Sequence, residues 1–181
     1  THRNSSLDPA ERLLHSDFHE VRLFALLLLV HRYESQVRER EAIYRLYLGN
    51  TTHINNWDLV DSSAPQIVGA HLFKRERSIL DTLSRSGALW ERRIAILATV
   101  YFIRREQYAD TLRIVEHLLH DPEDLMHKAA AWMLREIGKR DLAVEIGFLN
   151  RHSRQMTRTM LRYANETLDE PLRQRYLRGE V

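Results

Sequence analysis

Asn55-Asn56-Trp57-Asp58-Leu59-Val60-Asp61, with Pro65 four residues further on, is the stretch from which the architecture reads outward. On a helix, residues four apart share a face, so Trp57 and Asp61 project together, an aromatic plate beside a carboxylate. Pro65 cannot donate the hydrogen bond that the Asp61 carbonyl expects, and its ring crowds that carbonyl. The spacing therefore predicts a kink or break at the turn carrying the acid. An irregular turn beside a Trp and an acid suggests a site; a buried Trp, a first-turn acid and an ordinary kink fit the same residues.

Outward from this stretch the chain is helical in both directions. On its N-terminal side the reading gives a frayed Thr1 to Leu7 and a helix capped by Asp8 with Pro9 at its first position. A helix from Phe18 to Tyr33 follows, apolar enough to be buried on nearly all sides, and then one capped by Ser35 and stopped at Gly49-Asn50. The kinked segment runs from Asn55 to Phe73. Beyond it come helices over 75–85, 89–105, 108–120, 121–139, 141–151, 156–168 and 170–178, about ten in all, and no alternating β-branched run with hairpin turns. His19, Asn55, Leu89 and Leu125 open densely apolar helices at separations of 36, 34 and 36, each followed by a more amphipathic one. That period is the mark of stacked helical hairpins. Glu20-Val21-Arg22-Leu23 and Glu91-Arg92-Arg93-Ile94 align 71 residues apart, and Lys128 falls 35 after Arg93, so in-register cations are expected along one curved surface.

Composition narrows the function. The 181 residues suit one domain with a substantial core. Cysteine is absent, which excludes disulfides, thiolate zinc sites and cysteine-ligated clusters. The longest apolar run, Leu23 to Val30, is too short to span a bilayer, and a cytoplasmic protein with no membrane association is expected. Net charge is only +2, but three of the 27 basic residues are Lys and the rest Arg, a balance that suits phosphate recognition and equally a GC-rich genome.

Other constellations carry two readings each. Trp132 and Arg135 lie three apart and could hold a phosphodiester with its sugar, or be a core indole covered by a guanidinium. Trp90 opens an apolar helix and reads as packing. Arg151, Arg154, Arg158 and Arg162 form either a phosphate rail or a solvated face. His15/His19 and His117/His120 have helical ligand spacing but no Glu to complete a zinc motif, so neither metal nor cofactor is expected. No phosphate-binding glycine loop or nucleophile elbow occurs.

Three stretches taken together, Asn55 to Asp61, Leu89-Trp90-Glu91-Arg92-Arg93-Ile94-Ala95, and His127-Lys128-Ala129-Ala130-Ala131-Trp132-Met133-Leu134-Arg135-Glu136, resemble the AlkD-like DNA alkylation repair glycosylases. The resemblance implies an all-α, right-handed solenoid of HEAT-like helical hairpins with a concave basic face, a single domain over 1–181. It also implies further helices ahead of the segment that starts near Leu7. The implied activity is excision of positively charged N3- or N7-alkylated purines from double-stranded DNA by a monomer, without base flipping. Asp61 would be the catalytic carboxylate, Trp57 and Trp132 would flank the lesion nucleotide's backbone, and Arg93 and Arg135 would hold DNA. The competing expectation is a non-catalytic helical-repeat scaffold or a structure-specific DNA-binding protein, with its Trp residues in the core.

Overall fold

Pro65 does interrupt its helix, and the interruption takes the form of a π-helix. The computed structural model describes residues 7–181. Within it a short helix α4 (Trp57–Asp61) passes through a turn into a π-helix (Pro65–Gly69) and then α5 (Ala70–Leu72). In the intervening turn the Ser63 hydroxyl takes up the Leu59 carbonyl at 2.5 Å and meets the buried Tyr47 hydroxyl at 3.0 Å, so the backbone freed by the break is re-satisfied locally. The last residue of the π-helix is glycine for a steric reason. A Cβ there would lie 2.2 Å from the Ala98 carbonyl oxygen and 2.8 Å from Tyr101 Cβ. The facing helix is itself interrupted at this point, between α7 (Leu89–Ala98) and α8 (Val100–Ile103), where Thr99 turns its hydroxyl onto the Ile96 carbonyl at 2.6 Å.

The remaining elements are α1 (Asp8–Leu14), α2 (His19–Ser35), α3 (Arg40–Gly49), α6 (Ser78–Ser84), α9 (Ala109–His117), α10 (Asp124–Gly138), α11 (Leu142–His152), α12 (Arg158–Ala164) and α13 (Glu170–Arg178), with no strand among the described residues. The densely apolar helices touch in series, α2 on α4, α4 on α7, α7 on α10 and α10 on α12. The amphipathic ones lean on that series: α1 and α3 on α2, α6 on α7, α11 on α10. One apolar cluster runs through the chain from Leu7 to Tyr176, anchored by fully buried Tyr47, Phe102 and Phe148. Each such side chain withdrawn from water contributes roughly 1.5–3 kcal/mol before entropy is counted. No helix among the described residues is long and apolar enough to cross a membrane.

A repeated device fixes the entry to two of the apolar helices. Arg22 donates to the carbonyls of Ser16 and Asp17, six and five residues earlier, and Arg92 donates to those of Ser86 and Gly87 at the same offsets. The serine hydroxyls accept from the backbone N–H two residues on, at Phe18 and Ala88. Arg22 therefore corresponds to Arg92 rather than to Arg93, and the alignment read from the sequence is out by one residue. Arg22 faces backbone carbonyls, so of the cations expected in register only Arg93 and Lys128 line a common hollow.

Several local expectations are corrected. The cap of α1 is Leu7, which is buried, and Asp8 is the first helical residue; the rest of the segment expected to fray, residues 1–6, lies outside the described residues. Ser35 ends α2, its hydroxyl bonded to the His31 carbonyl, and α3 starts after a 3-10 turn over Val37–Glu39. The helix expected from residue 121 starts at Asp124, and Arg92 and the Glu123 N–H engage the Asp121 carboxylate ahead of it. The helix from His19 is buried on one face only: Phe24 and Leu27 are 59% and 48% exposed, since α1, α3 and α4 pack on a single side. Trp90 packs against the core as expected.

Candidate nucleic-acid interface

The Asn56 side chain caps α4, accepting from the Trp57 N–H at 2.7 Å in an extended backbone conformation. The chain thus enters the helix with Trp57 in its first turn, and that indole stands 56% exposed. An indole turned outward carries a cost in exposed apolar surface that packing does not offset. Asp58, the next residue, ties α4 to α2 by accepting from His19 Nε2 at 2.7 Å. One turn on, Asp61 is gripped by the fork of Arg93: Nε donates to Oδ1 at 2.8 Å and Nη2 to Oδ2 at 2.7 Å. The Arg93 side chain is only 6% exposed and Asp61 17%, so the pair is largely dry, with the carboxylate the more open partner. The third Arg93 nitrogen reaches the Leu125 carbonyl at 3.5 Å. This arginine thereby spans from α4 to the start of α10.

Arg93 also lines a hollow of about 220 Å³ together with Lys128, Trp132, Arg135 and Tyr163. Three of the five candidate residues, Arg93, Trp132 and Arg135, thus meet at one place. Asp61 joins them through the ion pair. Trp57 does not line the hollow but stands open one turn from the acid. Trp132 is partly buried against the core, so packing and exposure are combined in one side chain. Arg135 is ion-paired to Glu166, and its Nε is buried without a partner among the described residues. Lys128 pairs with Asp124 at 3.2 Å and its ammonium lies 5.9 Å from the Tyr163 ring, which is 42% exposed.

Tyr163 and Glu166 were not anticipated. They sit on or just after α12, and only the packing of α12 on α10 brings them to Trp132 and Arg135; no local spacing signals it. Behind the hollow is a second surprise, Glu145 on α11, fully buried with neither carboxylate oxygen hydrogen-bonded among the described residues. Burial pushes its carboxyl up to about 7, against the charge of Arg135. The carboxyl rests over Gly138, where a Cβ would fall 1.7 Å from Glu145 Oε2.

Other candidates are dispersed. Arg151, Arg154 and Arg158 each donate to a backbone carbonyl, of Gly147, Val181 and Leu177 respectively, and Arg162 alone of the four lines a hollow with Tyr163 and Glu166. The four are exposed and divided between α11, α12 and the segment joining them, so of the two readings the single rail does not form. His15 is hydrogen-bonded to Asn50, while His117 meets Ser84 and Arg85. Among the described residues no cluster of three or more potential metal ligands occurs.

An all-helical chain that sets an open indole and an arginine-gripped carboxylate beside a cationic, aromatic hollow has the side-chain chemistry of a protein facing nucleic acid. The chain belongs to the DNA alkylation repair enzyme family, whose family model matches residues 1–168. Membership assigns it to DNA alkylation repair and makes DNA its partner. No curated protein and no solved structure matches the chain.

Proposed function

We propose that this protein is a DNA glycosylase acting as a monomer on positively charged N3- and N7-alkylated purines in duplex DNA. The helical hairpins would stack as a right-handed HEAT-like solenoid, with Trp57, Asp61, Trp132 and Arg135 on its concave basic side. The observation that carries the reading is the placement of Asp61: its carboxylate lies a turn from an exposed indole and is clamped by Arg93, which in turn lines the hollow containing Trp132 and Arg135.

The chemistry follows from the leaving group. An ordinary glycoside needs a second carboxyl to protonate the departing oxygen, whereas an alkylated purine is already cationic and departs without an acid. One anion then suffices. As the glycosidic bond lengthens, the deoxyribose gains oxocarbenium character, and Asp61 near the sugar lowers the barrier electrostatically and orients the attacking water. The indoles of Trp57 and Trp132 present π-faces to the same charge, each contributing about 0.5–2 kcal/mol. Arg93 acts as a positioning residue. Its fork fixes the carboxylate plane and leaves one lone pair of each oxygen directed away from the guanidinium. Arg135 and Lys128 hold strand phosphates, exchanging their present carboxylate partners for them.

A hollow of about 220 Å³ at Trp132 is small for an extruded nucleotide, which supports capture of the lesion's backbone with the base left in or near the stack. Substrate choice tests this. Cationic 7-methylguanine and bulkier cationic adducts are expected to be released from duplex DNA, and neutral uracil to be left in place. Efficient uracil excision would overturn the reading. Duplex binding with no release of any alkylated purine would favour the non-catalytic alternative, to which the Arg93 clamp on Asp61 also lends itself.

A further inference from the structure

A cavity that neither the hollow at Trp132 nor Asp61 touches lies beside the π-helix. About 550 Å³ in volume, it is walled by Pro65, Gln66 and Ala70 of the π-helix segment, by Tyr33 and Arg40, and by Tyr101 with Arg104 and Arg105. A second hollow of about 390 Å³ shares Tyr33, Arg40, Ala70 and Tyr101 and adds Arg38, Lys74 and Arg75. The two form one groove past the C-terminal ends of α2 and α8. It shares no lining residue with the hollow at Trp132.

Six cations face this groove, against the carboxylates of Glu34 and Glu41. Glu41 is already engaged, by Arg45 at 2.7 Å and His71 at 3.3 Å. Helix ends account for half of the cations. Arg40 donates to the Tyr33 and Glu34 carbonyls, Arg75 to that of His71 and Arg105 to that of Tyr101, as basic side chains do at helix C-termini. Arg38, Lys74 and Arg104 are exposed and have no hydrogen-bond or ion-pair partner among the described residues. Helix capping leaves these three unexplained.

The anchored arginines are also pre-oriented. The Arg105 guanidinium lies 3.5 Å from the Tyr101 ring centroid and that of Arg40 lies 5.4 Å from Tyr33. Stacked and tethered forks lose little freedom when an oxyanion arrives, which is the preorganisation that phosphate recognition favours. On the groove's inner wall, Gln66 Oε1 is buried with no hydrogen-bond partner among the described residues. An anion without a proton, such as sulfate or chloride, has nothing to offer that acceptor, whereas a phosphate carried on a sugar and base supplies hydroxyl or amino donors.

We propose that the groove is a phosphate-binding site for a nucleotide unit, either a free nucleotide or a phosphate of a strand running past this edge, with Arg104, Arg105 and Arg40 on the phosphate and Gln66 on the nucleoside. The site is independent of Asp61 and goes beyond the glycosylase reading. The test titrates dGMP and an unmodified duplex separately into the full chain and into Arg104→Glu, following the Gln66 side-chain amide and the Trp132 indole by NMR. Arg104 is exposed and unpaired, so equal thermal midpoints for the two proteins check that the variant folds.

If the occupant is a free nucleotide, dGMP shifts the Gln66 amide and Arg104→Glu weakens its binding at least about fivefold, with duplex affinity unchanged. If it is a strand phosphate, duplex shifts Gln66 as well as Trp132, and the variant loses about tenfold in duplex affinity at low salt, with a shallower salt dependence. Should neither probe move Gln66, or should the charge reversal leave both affinities as they were, the groove is not a phosphate site. Release of 7-methylguanine, measured on the same samples, reports on Asp61 separately.

Discussion

Arg92 and Arg93 are neighbours in sequence, both are buried, and each grips a carboxylate with two hydrogen bonds, yet they belong to different parts of the molecule. Arg92 closes on Asp121, 3% exposed, and its remaining donors hold the Ser86 and Gly87 carbonyls. Arg22 repeats the carbonyl half of this arrangement at the head of α2, so the device belongs to the architecture. Arg93 closes on Asp61, 17% exposed, next to an indole that packing does not require. The difference teaches that a buried bidentate pair alone says nothing about function. What separates the two is the outer partner's access to solvent and the company it keeps.

Breaking the Arg92 pair should cost most. Arg92→Ala strands the Asp121 carboxylate in the interior, and chemical denaturation should record a loss of about 3–5 kcal/mol, with excision per folded molecule unchanged. A loss of excision at full stability would assign Arg92 to the site and erase the contrast.

The buried acid Glu145 sharpens the comparison, because it has no arginine bonded to it. Its carboxyl is raised from 4.5 to about 7. Between those values the native state keeps a proton that the unfolded chain has released, so native stability falls as pH rises through this window. Glu145→Gln, neutral throughout, should match the wild type below about pH 4.5 and exceed it by roughly 2–3 kcal/mol above pH 7. Equal stabilities at both ends would mean that the carboxyl is paired after all.

The smallest stability effect is expected at Trp57. Exposed as it is, Trp57→Ala should shift unfolding by less than about 0.5 kcal/mol, while affinity for a duplex carrying 7-methylguanine drops about tenfold. An unfolding change above about 2 kcal/mol with unaltered affinity would move Trp57 into the structural class.

Much of this is legible in the sequence alone. The i,i+4 spacing of Trp57 and Asp61, the i,i+3 spacing of Trp132 and Arg135, and the recurrence of apolar helices placed the candidates on neighbouring elements. Pro65 marked the irregular turn, though not that it would become a π-helix against Gly69. What stayed hidden depended on contacts made only by packing. Asp61 and Arg93 are 32 residues apart, and their pairing follows from the seating of α4 on α7. Tyr163 and Glu166 arrive from α12. The groove lined by Arg104 and Arg105 assembles from the ends of separate helices, and its cations look like surface charge in sequence. A cap is misread where another partner claims the capping side chain, as the His31 carbonyl claims Ser35.

Single-turnover release of 7-methylguanine from alkylated duplex, compared for the wild type and Asp61→Asn with duplex affinity measured on the same preparations, decides whether Asp61 acts on the sugar. Loss of the anion should slow release by about a hundredfold or more while affinity stays within about threefold. Release at the wild-type rate, or a fall in rate matched by an equal fall in affinity, would contradict a catalytic role for Asp61.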